Sequence, residues 1–258
     1  MHWDVMNAIW ALQGEPLRPP PQVVETVVSE VATQGCSNTL LLGVTPEYHG
    51  RFQKLTSIDG SESMIKAVWP GNTEKDRVIF GDWLAINKKV SEADSVIGDF
   101  SLGVIGGKNN VKELLASIRN VCVEGGVCLF RTWVQPDACI TNTDILEYCK
   151  SSTFSSHALR LRIGMLLAQK NDGAVPVSLI RETFNDIFPC RETFFNETKI
   201  NPDELKLIDL YQSSESVYYY PHKDELADMI VGAGFSHEFL EVGGYDFSSE
   251  CPVVRMAG

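Results

Sequence analysis

Five short apolar runs, each too short for a helix and each separated from the next by a longer stretch, leave this chain few folds to choose from. They are Thr39-Leu40-Leu41-Leu42, Leu55-Thr56-Ser57-Ile58, Arg77-Val78-Ile79-Phe80, Ser95-Val96-Ile97 and Val127-Cys128-Leu129-Phe130. A strand that is apolar on both faces belongs to a sheet covered on both sides, and helices between consecutive strands keep those strands parallel. Two intervening segments carry a helical stripe. From Pro21, a good first helical residue, Val24, Val27, Val28 and Val31 recur at helical spacing towards Gly35, and Val111, Leu114, Leu115 and Ile118 do so before the turn Glu124-Gly125-Gly126. The expectation is an α/β fold with a mostly parallel sheet, in which ligands bind beyond the carboxyl ends of the strands, where strand order reverses.

The chain has 258 residues, 44% of them hydrophobic, enough for one substantial core in a single domain with an embellishment. Trp3, Met6, Ile9 and Trp10 stand at helical spacing before Arg18-Pro19-Pro20-Pro21, so residues 1–20 read as an N-terminal lid helix and a hinge. Residues 21–135 read as the ligand-binding core and 216–258 as its C-terminal part. Between them, 136–215 shows helical periodicity at Leu159, Ile163, Leu166 and Leu167 and again at Leu205, Ile208 and Leu210, with no strong strand. That block reads as a helical cap inserted after the fifth strand.

The net charge of −12 is spread over both halves of the chain with no basic stripe, which argues against nucleic acid as a partner. No run approaches the roughly 18 apolar residues of a membrane span, and Met1-His2-Trp3-Asp4 is no signal-peptide start, so the expectation is a cytoplasmic protein without a membrane partner. Seven scattered cysteines without a Cys-x-x-Cys pair signal neither a disulfide framework nor a metal site. The glycines Gly103, Gly106 and Gly107 read as a flexible loop, since no lysine-serine pair follows at phosphate-loop spacing.

The loops after the strands hold the chemistry. After the first strand comes Gly43-Val44-Thr45-Pro46-Glu47: Gly43 permits a sharp turn and close approach of backbone to a ligand, and Thr45-Pro46-Glu47 has the form of a capped helix start. The second strand ends in Asp59-Gly60-Ser61-Glu62-Ser63-Met64, whose first carboxylate lies at the right remove from the glycine turn to accept two ribose hydroxyls. The third ends in Gly81-Asp82-Trp83, an acceptor for an amino group beside a stacking face. The fourth ends in Gly98-Asp99-Phe100-Ser101. Singly, Asp59 and Asp82 would read as helix caps and Trp83 as a core aromatic; in register on consecutive strands they read as a ligand site.

In this order the motifs resemble the class I S-adenosylmethionine-dependent methyltransferases, over roughly residues 21–135 and 216–258. The resemblance rests on the Gly43 turn, the Asp59-x-Ser61-x-x-Met64 run, Gly81-Asp82, the Glu124-Gly125-Gly126 turn, and Lys223-Asp224-Glu225-Leu226 leading to Ala233-Gly234-Phe235. It implies a Rossmann-like, mostly parallel seven-stranded sheet flanked by helices, with S-adenosylmethionine as cofactor and S-adenosylhomocysteine as product. It further implies that Asp59 holds the ribose, that Gly60, Ser61 and Met64 pack about the nucleoside, and that Gly81, Asp82 and Trp83 read the adenine. Asp99, with Phe100 and Ser101, would lie near the sulfonium. The family's acidic residue and three alternating glycines at the first strand are here Leu41, Gly43, Thr45 and Glu47. Glu47 is therefore expected to supply the charge for the ammonium of the cofactor's tail.

A methyl acceptor that is a small molecule, in a monomer or homodimer, completes the expectation. Its contacts are assigned to Trp3, Trp10, His157, Arg160 and Tyr218, and any proton transfer to Asp99, His157 or His222. Arg160 and Arg162 beside His157 suit an acceptor bearing a carboxylate, while Tyr218-Tyr219-Tyr220 also reads as a packed strand. Two other functions fit the same residues: cofactor binding without methyl transfer, the sulfonium steering another reaction, and a catalytically degenerate partner subunit.

Overall fold

The computed structural model describes residues 7–258; Trp3 and Met6 lie outside the described residues. Among the described residues nine strands form two sheets: β1 Thr39–Leu42, β2 Leu55–Asp59, β3 Asp76–Phe80, β4 Ala93–Asp99, β5 Cys122–Arg131, β6 Ala174–Pro176, β7 Val217–Tyr219, β8 Ser236–Leu240 and β9 Val253–Ala257. Seven make one sheet in the order β3-β2-β1-β4-β5-β9-β8, with β9 antiparallel to both neighbours and the first five parallel. Strand order turns between β1 and β4, the place where such sheets bind ligands.

The helices are α1 Pro21–Thr33, α2 Glu62–Val68, α3 Ser101–Val104, α4 Lys108–Arg119, α5 Asn142–Tyr148, α6 Ser156–Ala168, α7 Val177–Ile187, α8 Arg191–Thr198, α9 Leu205–Asp209 and α10 Lys223–Gly232. Side chains of a strand alternate between faces, so the continuous run in β1 serves two cores at once. Leu41 joins Val23, Val24, Val27 and Val31 of α1 on one face, with Ile97 and Leu129. Leu40 and Leu42 join Leu114, Leu115 and Ile118 of α4 and Leu226 and Ile230 of α10 on the other.

The segment between β5 and β7 has its own apolar core, in which Leu159, Ile163, Phe184, Phe194 and Ile208 cluster with Trp133 and Phe100. Its centre is α6, buried on nearly every side, which is why a one-sided stripe describes it poorly. Three expectations change. The segment does contain a strand, β6, which pairs antiparallel with β7 in a second, two-stranded sheet; three residues ending in proline carry too little periodicity to be read. Glu124-Gly125-Gly126 lies inside β5, where the register shifts between Ala93 and Ser95 and Gly125 takes φ +76°, so it is a bulge in a longer strand. The described part of the N-terminal lid is a six-residue 3-10 turn, Asn7–Leu12, rather than an α-helix.

Candidate active site

A cleft of about 580 Å³ opens at the tips of the parallel strands, a size typical of small-ligand sites. Gly43, at the end of β1, takes φ +102°, a conformation that favours glycine. A side chain there would point between Trp83 and Asp59. Thr45 lines the cleft but makes no side-chain cap, because only the three-residue 3-10 turn Pro46–Tyr48 follows. Glu47 is not part of the wall. Its Oε1 accepts from Arg18 Nε at 2.6 Å, and Arg18, beside the Leu17 and Pro19 of the N-terminal segment, is the charged group that faces inward.

Asp59 closes β2, and its Oδ1 accepts from the backbone N–H of Ser61 at 2.8 Å. Burial pushes this carboxyl up to about 6, against the pull of backbone N–H groups at Ser61 and Val44. Gly60, Ser61 and Met64 line the same wall, with Ser61 also capping α2 by accepting from Met64 N–H. Gly81, Asp82 and Trp83 follow β3 into the cleft. Asp82 caps the next turn through Leu84 N–H at 2.9 Å, and Trp83 is pinned by its Nε1 donating to Ile58 O at 2.8 Å. Each of these residues thus has a local structural task and lines the cleft as well.

Asp99 ends β4 and also lines the cleft, yet both its oxygens are engaged: Arg131 Nε and Nη2 donate to them at 2.6 and 2.9 Å. Arg131, at the end of β5, is 0% exposed. Burial opposes its charge, but Asp99 more than compensates through attraction and hydrogen bonds and holds the guanidinium above its ordinary value. The guanidinium also lies 4.0 Å over the Phe100 ring. Phe100 lines the cleft with φ +58°, the left-handed region. Ser101 is outside the wall, its hydroxyl buried against Gly98.

Of the remaining candidates, Trp10 and Tyr218 line the cleft. Arg160 stands one layer behind, with Nη1 donating to Tyr211 Oη at 3.3 Å and Nη2 to Gln13 Oε1 at 2.8 Å. His157 is packed against Gly14, and its Nδ1 lies 2.9 Å from the same Nη2. Burial first, and the Arg160 charge second, push His157 down to about 3, so it is neutral and weakly basic. His222 is exposed at the start of α10, away from the cleft. Sequence reasoning missed Gln13, Leu17, Arg18, Phe80, Trp133 and Tyr211, all in the wall. Trp133 had the same signal as the others, an aromatic just beyond a strand end; Tyr211 had none.

Trp133 also constrains α3, because a Cβ on Gly103 would overlap its indole. Gly103→Ala is expected to destabilise the fold by about 1–3 kcal/mol, the usual range for overpacking. It should also move the Trp133 ring, which a thermal melt and tryptophan emission would register together.

No family model and no curated sequence matches the chain. Solved structures do, and with the strand order and the cleft they define the class: this is the fold of the class I S-adenosylmethionine-dependent methyltransferases. Among them, the methyltransferase CcbJ of Streptomyces caelestis superposes with TM-score 0.59 at 14% identity, over 100% of this chain and 97% of that one. The amino pentose methyltransferase CalS10 from Micromonospora echinaspora, solved with S-adenosylmethionine bound, gives 0.56 at 10% identity, covering 98% and 95%. A protein of Rhodobacter sphaeroides assigned to the Zn-dependent alcohol dehydrogenases gives 0.64 at 12% identity, covering 99% and 96%. At such identities the likeness is one of fold. Among the described residues no three His, Cys, Asp or Glu side chains gather as a metal site would need, and no helix is long and apolar enough to cross a membrane.

Proposed function

We propose that this chain binds S-adenosylmethionine in the strand-tip cleft and transfers its methyl group to a small-molecule acceptor held beneath the segment 136–215. The observation that carries the reading is the convergence of Gly43, Asp59, Asp82, Trp83 and Asp99, from four consecutive parallel strands, on one nucleoside-sized cleft.

The residues fit the cofactor. The Asp59 carboxylate, with one oxygen already held by Ser61 N–H, is oriented to accept ribose hydroxyls. Met64, the exposed ring of Phe80 and Trp83 offer an apolar slot for the adenine, with Asp82 at its edge. At the tail, Arg18 is a partner for the carboxylate, and Glu47, whose Oε2 is buried without a partner among the described residues, supplies the balancing charge behind it. Bound there, the cofactor would supply an electrophilic methyl group on a sulfonium. The protein's own contribution is alignment and exclusion of water. The N-terminal segment contributes to closure through Arg18–Glu47 on one side and Arg160–Gln13 on the other.

Two measurements test the reading. Calorimetric titration with S-adenosylhomocysteine is expected to give one site per chain, and incubation with isotopically methyl-labelled S-adenosylmethionine and a metabolite extract is expected to give labelled product. Binding without label would move the protein to a cofactor-dependent function other than transfer, and no binding would leave it a non-enzymatic subunit.

A further inference from the structure

We propose that the acceptor is a flat aromatic ring bearing a weakly acidic hydroxyl, a phenol-class molecule, and that the site takes it up as the phenolate, its oxygen against the Tyr211 hydroxyl with Arg160 behind. The inference rests on the methyltransferase reading above and specifies its second substrate.

The shape comes from ring faces. Phe100 stacks on Trp133 with centroids 4.6 Å apart at 29°, and Trp133 stacks in turn on Tyr220 at 5.0 Å and 21°. Tyr218 leans on Trp133 at 5.4 Å, and Tyr211 stands edge-on to Tyr218 at 88°. Phe100, Trp133, Tyr211 and Tyr218 all line the cleft. With these faces taken up by one another and by the Arg131 guanidinium, the wall presents ring edges, which are complementary to the face of another flat ring through edge-to-face contact.

The charge comes from Arg160. It is 3% exposed, and its partners are Tyr211, Gln13 and His157, all neutral; among the described residues no carboxylate pairs with it. The other charges near this end cancel within themselves, Arg18 with Glu47 and Asp99 with Arg131. Glu204 lies 4.0 Å from the far nitrogen of His157 and bonds Ser156. The positive potential is felt by the neighbours: after burial itself, the Arg160 charge is what lowers His157. Such a site favours an anionic oxygen and repels an ammonium. The Tyr211 hydroxyl accepts from the guanidinium and is hydrogen-bonded to Tyr218, so the linked phenols can present a proton to an oxygen in the cleft. Trp10 Nε1, in the same cleft, is a buried donor with no acceptor among the described residues, a feature that a ligand oxygen would explain.

Uptake as the anion also answers where the acceptor's proton goes. Asp99 is held by Arg131, His157 is weakly basic and behind the wall, and His222 is exposed and outside the cleft wall. The hydroxyl proton therefore leaves to bulk water as the ring enters, no protein group changes its protonation, and the oxygen keeps the electron pair that makes it a nucleophile. Arg160 acts through Tyr211 and is a positioning residue.

The test uses 4-nitrophenol, whose ionised form is yellow, titrated with pH on the whole protein with and without S-adenosylhomocysteine. The colour midpoint of the bound probe is expected to fall by about one pH unit or more relative to the probe in buffer. In Arg160→Gln it should return toward the buffer value, in Arg160→Lys it should stay lowered, and Tyr211→Phe should weaken binding roughly tenfold. An unshifted or raised midpoint in the wild-type protein, equal binding of the cationic probe benzylamine, or no binding of 4-nitrophenol overturns the proposal. Failure of S-adenosylhomocysteine to bind while the probe still shifts would sink the cofactor reading instead and leave the phenolate subsite standing.

Discussion

Replacing Asp59 by asparagine is expected to weaken S-adenosylhomocysteine binding roughly a hundredfold while making the empty protein more stable at neutral pH. Two hydroxyl donors to a carboxylate are each worth about 1.5–3 kcal/mol, and an amide, though it still accepts, forfeits the charge. The stability change has the opposite sign because burial raises this carboxyl to about 6, well above its value in an unfolded chain. A carboxyl raised on folding contributes stability that is fully present below the unfolded value and is lost as pH climbs through about 6. At pH 7 the ionised group is therefore a burden on the fold, of up to about 2–3 kcal/mol by the linkage relation, and asparagine removes it. Thermal melts at pH 7 should show the variant above the wild type, with the gap closing near pH 4. Calorimetry on the wild type should show affinity falling as pH drops below about 6, and no such fall in Asp59→Asn. A variant that binds the cofactor product as well as the wild type would remove Asp59 from the ribose site.

That single side chain also shows what a sequence of this kind makes legible. Asp59, Gly81-Asp82-Trp83 and Asp99 each stand at the end of an apolar run, and in a parallel sheet the carboxyl ends of all the strands lie along one edge. One-dimensional register therefore stands in for three-dimensional proximity, and the sheet, its order of helices and the cleft's nucleoside end can all be read. The other end of the cleft has no such rule. Arg18 arrives from the N-terminal segment and Tyr211 from the far end of the helical segment, and nothing in local spacing says which side of α6 meets them. His157 and Arg160 share one helical face, yet both sit behind Tyr211 and Gln13 rather than in front. Glu47 could be recognised as an unusual charge, but its pairing with Arg18, 29 residues away in sequence, depends on how the Pro19-Pro20-Pro21 bend lays the N-terminal segment over the sheet.

The Asp99–Arg131 pair, by contrast, is expected to matter more to the fold than to proton transfer. Both members are at the tips of adjacent strands, β4 and β5, in register with each other, and their side chains are 5% and 0% exposed. Removing one partner strands the other charge in a medium that cannot solvate it. Arg131→Met should therefore destabilise the protein by about 3–5 kcal/mol, lowering the melting temperature by on the order of 10 °C for a chain this size. Removing both charges is a different matter, since replacing a buried pair by apolar side chains of similar volume is often neutral or stabilising. The double variant Asp99→Leu/Arg131→Met should melt close to the wild type, and the difference between it and the single variant measures the uncompensated carboxylate. Phe100 supplies the functional readout: it is held in a left-handed conformation under the guanidinium and against Trp133, so losing Arg131 should let that ring and the acceptor end of the cleft relax. The double variant is then expected to retain its fold but to bind 4-nitrophenol more weakly. If it melts as low as Arg131→Met alone, the pair is not holding the strand tips through its charge balance, and the guanidinium's packing against Phe100 would have to account for the loss.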